Sequence, residues 1–200
     1  MAILSWAIHV IFKRHGRRLI PILLLLLFLN LGLNSTAQAS SSHEYAIKAV
    51  FLYNFAKFVE WPLRAFDDNT NQIILCILGK DPFGAFLKPI NGKTVKGKRI
   101  IVKYIPKIDN MEKCHILFIG KSEETELVRI LARLRDWNVL TVSDMGDFAQ
   151  RGGIIGFTRE EDEIHFEINL DVSKRAGLKI SSRLLKLARI ISVKPEGRKR

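Results

Sequence analysis

Acid–base chemistry needs a histidine or carboxylate poised beside a second ionisable group, and His43, His115, His165, Asp144, Asp147 and Glu167 have the types for it. They fall on scattered stretches with no nucleophile signature and no metal-ligand spacing between them, so satisfied or exposed histidines explain them better than a hydrolase does. Asp144 and Asp147 stand apart because they follow an expected strand, at the sheet end where α/β proteins tend to bind ligands; a small-ligand pocket and simple loop capping both fit them. Cys76 and Cys114 are the two cysteines of the chain. In an oxidising compartment such a pair forms one bridge, whereas elsewhere both would serve as small buried hydrophobes. Metal binding is disfavoured, since there is no CxxC and Cys114 and His115, adjacent on a strand, point to opposite faces. No metal or cofactor is expected.

Other fragments resemble motifs and fail on spacing. The run Asn91, Gly92, Lys93, Thr94 is like the end of a phosphate-binding loop, but the glycine required upstream would fall at Leu87. Gly152, Gly153 and Gly156 lack dinucleotide-fingerprint spacing and lead into a strand rather than a helix. Neither GxSxG nor HExxH is present.

The elements that must carry these residues alternate between strand and helix. Residues 43–61 read as a helix stopped by Pro62, apolar on more than one side, with Phe51 and Phe55 among its aromatics. Residues 72–79 form a near-continuous apolar run, as does the stretch 114–119, and both read as strands buried on two faces. Residues 99–104 and 139–142 supply further strands. Asp81 with Pro82 starts a short helix, and Ser122 caps another whose stripe is Leu127, Ile130, Leu131 and Leu134. The apolar run Ile154, Ile155, Phe157 and the alternating Ile164, Phe166, Ile168 make an antiparallel hairpin. Asp171 caps a short helix ended by Gly177, and residues 180–193 read as a basic amphipathic helix with Arg183, Lys186 and Arg189 on its polar stripe. The pattern predicts an α/β three-layer sandwich with a mostly parallel sheet and a C-terminal antiparallel hairpin. In a flavodoxin-like strand order the first strand neighbours the third, which brings Cys76 near Cys114.

The 200 residues leave room for one domain, expected over residues 40–200. Lys13, Arg14, Arg17 and Arg18, the apolar run of residues 19–33 and Ala37-Gln38-Ala39 follow the order of a signal peptide cleaved after Ala39; an uncleaved anchor is the alternative. The net charge is +12, and with those four basic residues set aside about +8 remains. Outside the cytoplasm nucleic acid is a poor candidate, so anionic lipid, wall polymer or an acidic protein surface are the partners that such charge fits.

Two distant phrases, KAVFLYNFAKFVEWP and FEIN followed by AGLKISSRLLKLARI, together with CILGKDPFG, KCHILFIG and DMGDFAQRGGIIGF, resemble the YfiR family over residues 44–191. The resemblance implies a periplasmic, non-enzymatic protein that dimerises and holds a membrane diguanylate cyclase, YfiN, inactive, with an outer-membrane lipoprotein, YfiB, relieving the block. The same resemblance implies that such a protein lowers cyclic di-GMP signalling and biofilm formation. Phe51, Phe55, Phe166, Arg183, Lys186 and Arg189 are the expected partner contacts. A periplasmic small-ligand carrier acting on another receptor is the alternative.

Overall fold

The structure, a computed structural model, describes residues 34–66, 71–161 and 163–192, with only the backbone of residues 34–41. The chain divides after His43 into a first unit, Met1–His43, of which only the opening turns of one helix are described, and a second, Glu44–Arg200. Of the leader expected over residues 1–39, residues 1–33 lie outside the described residues, as does the basic tail of residues 194–200.

In chain order the elements are α1 (Asn34–Phe58), β1 (Val59–Glu60), β2 (Gln72–Leu78), β3 (Thr94–Val95), β4 (Lys98–Ile105), β5 (Ile116–Ile119), α2 (Leu127–Arg133), β6 (Leu140–Ser143), β7 (Ile155–Glu160), β8 (Glu163–Asn169), α3 (Leu170–Arg175), β9 (Lys179–Ile180), α4 (Ser182–Leu185) and β10 (Arg189–Ile191). Eight strands form one sheet in the order β10-β8-β7-β6-β5-β2-β4-β3, while β1 and β9 make a separate two-stranded ribbon. The sheet is parallel except at β3 against β4 and in the β7–β8 hairpin, where Phe157 faces Phe166. β2 lies between β4 and β5, so the first strand does neighbour the third.

The period of two along β2 explains the layering. Ile73, Leu75 and Ile77 point into one apolar cluster, which α1 covers with Ala49, Leu52, Phe55 and Ala56. Cys76 and Leu78 point into the other, covered by Leu127, Ile130 and Leu134 from α2 and its C-terminal turn. Fully burying a Leu or Phe contributes roughly 1.5–3 kcal/mol, so α1 is held chiefly by Leu52 and Phe55, both without exposed surface. The predicted three-layer α/β sandwich with a C-terminal antiparallel hairpin is therefore the fold observed. On the second face Cys76 and Cys114 are joined as a disulfide, their Cα atoms 6.0 Å apart.

Several local expectations give way to tertiary pairing. Residues 180–193 are not one helix: Ile180 pairs with Val59, Ser181 Oγ caps the four-residue α4 by accepting from Leu184 N at 3.3 Å, and β10 joins the sheet parallel to β8. The β-branched pair Ile190 and Ile191 takes the extended form because an open strand edge is available beside it. Asp81 does accept from Phe83 and Gly84 N–H groups, yet Gly84 has φ +53 and only a 3-10 turn, Gly84–Leu87, follows. Ser122 does not cap α2, because its hydroxyl accepts from Lys80 N at 2.9 Å and a 3-10 turn, Lys121–Glu126, precedes the helix. The cap of α3 is Asn169, whose side chain accepts from Val172 N at 3.0 Å, rather than Asp171.

Two stability measurements check this packing. Replacing both Cys76 and Cys114 by alanine opens a loop with a sequence separation of 38. It should cost about 4 kcal/mol in the chain-entropy account, read as a lower denaturant midpoint. A Cβ on Gly153 would stand 2.1 Å from Phe148 Cε1. Gly153→Ala should therefore destabilise by about 1–3 kcal/mol through overpacking.

Candidate functional site

α1 is apolar enough that a lysine on its inner side must find partners, and Lys48 does. Its side chain is 3 % exposed and its Nζ donates to Glu44 Oε1, one turn back, and to Asp144 Oδ2 at 2.6 Å. Asp144, whose side chain is 4 % exposed, follows the C-terminal end of β6. Tyr45 donates its hydroxyl to the same Oδ2 at 2.8 Å and lays its ring 4.5 Å from Lys48 Nζ. Two further cations close the ring of charge: Lys121 Nζ stands 3.9 Å from Asp144 and Arg159 3.6 Å from Glu44. The carboxylates of Glu44 and Asp144 are thus matched by three cations, and the buried lysine is desolvated but hydrogen-bonded. Burial, then the Asp144 hydrogen bond and charge, and the charge of Glu44 push the Tyr45 phenol far above its usual range. This site offers fixed charge and hydrogen bonds at the carboxyl end of the sheet.

Of the residues expected from sequence, Asp144 enters this cluster, whereas Asp147 lies exposed in a turn at φ 55. The histidines remain apart. His43 is exposed; His115 is buried, accepts from Ile74 N at 3.0 Å and stacks on Phe66; half-buried His165 lies 3.6 Å from Glu163. Phe51, Phe55 and Phe166 do come together, joined by Phe157, with ring centroids 5.3 to 6.1 Å apart. Phe55 and Phe166 are core residues and only Phe51 is half-exposed. Arg183 and Lys186 are exposed around Leu187, itself 68 % exposed, and Ile190 at 43 %. Arg189 is committed to the buried Glu167 through its guanidinium.

Sequence reasoning missed Glu44, Tyr45 and Lys48. The signal was present: a lone lysine on the inward side of an aromatic helix with a glutamate four residues earlier is a paired buried charge. Its partner Asp144, 96 residues away, is fixed only by topology.

A sequence model of a protein family described as YfiR/HmsC-like matches residues 45–189. Among solved structures, a conserved domain protein from Vibrio cholerae O1 biovar eltor is similar at 11% identity and a TM-score of 0.41, over 60% of this chain and 54% of that one. The chain spans about half the length of that protein. Among the described residues no helix is long and apolar enough to cross a membrane, and no group of three or more His, Cys, Asp or Glu is placed to hold a metal ion.

Lys48→Met leaves Asp144 buried without its closest cation and should cost about 3 kcal/mol, while Lys48→Met with Asp144→Leu should cost less than the two single changes together; urea unfolding of the four proteins measures the coupling. For Tyr45 the unfolded phenol ionises near pH 10.0, whereas the folded one still holds its proton there. Stability should therefore be constant below that pH and fall above it, and Tyr45→Phe should flatten the fall.

Proposed function

The chain belongs to the YfiR/HmsC-like family, whose members are periplasmic, non-catalytic regulators of cyclic di-GMP signalling, and from that premise we propose that it is an exported, non-enzymatic brake on a membrane diguanylate cyclase. It binds the periplasmic part of a YfiN-like cyclase in its inactive conformation better than in its active one. A tenfold shift toward the inactive state needs about 1.4 kcal/mol of preferential binding, which a modest protein interface supplies. The observation that carries this reading is the family match over residues 45–189.

The contact surface is the exposed stretch around α4. Leu187 and Ile190 provide the apolar centre; Arg183 and Lys186 provide a rim that steers an acidic partner. Phe51, Phe55 and Phe166 act from beneath by fixing the position of α1 on the β7–β8 hairpin. A leader over residues 1–39 carries the chain out of the cytoplasm, residues 40–200 act as a single domain and homodimer, and a YfiB-like outer-membrane lipoprotein withdraws it from the cyclase.

Deleting the protein in a cell that retains the cyclase should raise cyclic di-GMP and biofilm several-fold, and Arg183→Glu with Lys186→Glu should reproduce the rise without lowering the melting temperature. Unchanged cyclic di-GMP on deletion would sink the proposal. In the periplasm, crosslinking should trap the cyclase with the wild type and not with Leu187→Asp.

A further inference from the structure

A cleft of about 280 Å³ opens between α2 and α3, away from the Lys48 cluster in its residues and in its chemistry. Leu131 of α2, Ile154 ahead of β7 and Val172 of α3 give it an apolar interior, and Val128, 80 % exposed, extends that surface toward solvent. Thr141, the polar residue of the floor, already accepts from Ile154 N at 3.0 Å. Three arginines line the same cleft: Arg135, Arg151 and Arg175. Arg151 is paired with Glu124 at 3.2 Å. Among the described residues the side chains of Arg135 and Arg175 make neither an ion pair nor a hydrogen bond, so their charge bears on the cleft uncompensated.

The combination restricts the occupant. Guanidinium forks match carboxylate or phosphate oxygens in pairs, so the head group is anionic. An apolar interior gives nothing to a bare inorganic anion but does desolvate a hydrocarbon or aryl body. At about 280 Å³ the cleft is at the small end of ligand pockets, which limits that body to a short one. We propose that this cleft binds a small anionic amphiphile, its apolar body on Leu131, Ile154 and Val172 and its carboxylate or phosphate head between Arg135 and Arg175. The site is independent of the regulatory surface around α4, and its failure would leave that reading untouched.

Titration calorimetry of the purified protein with octanoate, 1-octanol and inorganic phosphate tests it. Octanoate should bind saturably at one site, at least tenfold more tightly than 1-octanol or phosphate. The doubly substituted Arg135→Gln, Arg175→Gln protein should bind octanoate at least tenfold more weakly while melting at the same temperature, and Ala132→Trp, which fills the cleft, should abolish binding. Should the double variant lose its cooperative melt, Arg175→Gln alone carries the same expectation. Octanoate that never saturates, or that binds the glutamine variant as tightly as the wild type, overturns the proposal; so does phosphate binding as tightly as octanoate, which would leave the apolar body without a role. An acidic protein surface answering to the arginines instead would show as the first of these failures.

Discussion

The constraint on which the rest depends is that β2 is buried on both faces. A strand whose alternate residues Leu75 and Cys76, Ile77 and Leu78 are all shielded from water cannot be satisfied by one cover layer. One face recruits α1 and the other α2, and the parallel neighbours β4 and β5 bring their crossovers with them. The disulfide sits on this strand too, so the covalent cross-link and the apolar burial act on the same element. Cys76 is the inward residue of the second face at the place where β5 begins, which is why a bridge to Cys114 forms there without disturbing the first face.

Burial of α1 by apolar contact alone leaves its rotation and axial position loosely determined, because aromatic side chains repack with little loss. The Lys48 pair removes that freedom. Its ammonium reaches Asp144 from one rotational setting of the helix, and Tyr45, three residues earlier, reaches the same oxygen. A buried ion pair of this kind contributes little net stability once desolvation is counted, so its effect is on which arrangement is adopted more than on how strongly. The four-ring cluster of Phe51, Phe55, Phe157 and Phe166 then packs in a defined order between α1 and the hairpin.

The layers were readable in the sequence because they follow from period and run length: residues 72–79 and 114–119 are near-continuously apolar, and Phe166 alternates with polar neighbours, whereas the first strand beside the third was expected only on a flavodoxin-like order. What period cannot show is competition for an edge. Residues 180, 184, 188 and 191 fit a helical stripe, yet Val59 offers Ile180 a pairing partner and β8 offers Arg189, Ile190 and Ile191 a ladder. Those partners lie 121 and about 22 positions away, as Val59 against Ile180 and Glu167 against Arg189 show, and no local propensity records them. The charged cluster was half visible for the same reason. Glu44 and Lys48 are one turn apart and can be paired on paper, but Asp144 is delivered by the sheet.

The pairing of Arg189 with Glu167 also limits how the α4 region can act. Glu167 is buried on β8, and the arginine opposite it in the parallel register neutralises it from the sheet edge. Drawing that guanidinium away to a partner would leave a carboxylate uncompensated in a low-dielectric setting, a cost of several kcal/mol that few surface contacts offset. Arg189 therefore belongs to the frame, and in the proposed contact the charges that meet the partner are those of Arg183 and Lys186. Arg183 lies on the four-residue α4, Lys186 and Leu187 in the turn that follows it and Ile190 on β10, and the helix and strand on either side are anchored by a cap and by backbone pairing. An apolar centre held this rigidly loses little conformational entropy on binding, so even a small patch can discriminate between two conformations of a partner by shape.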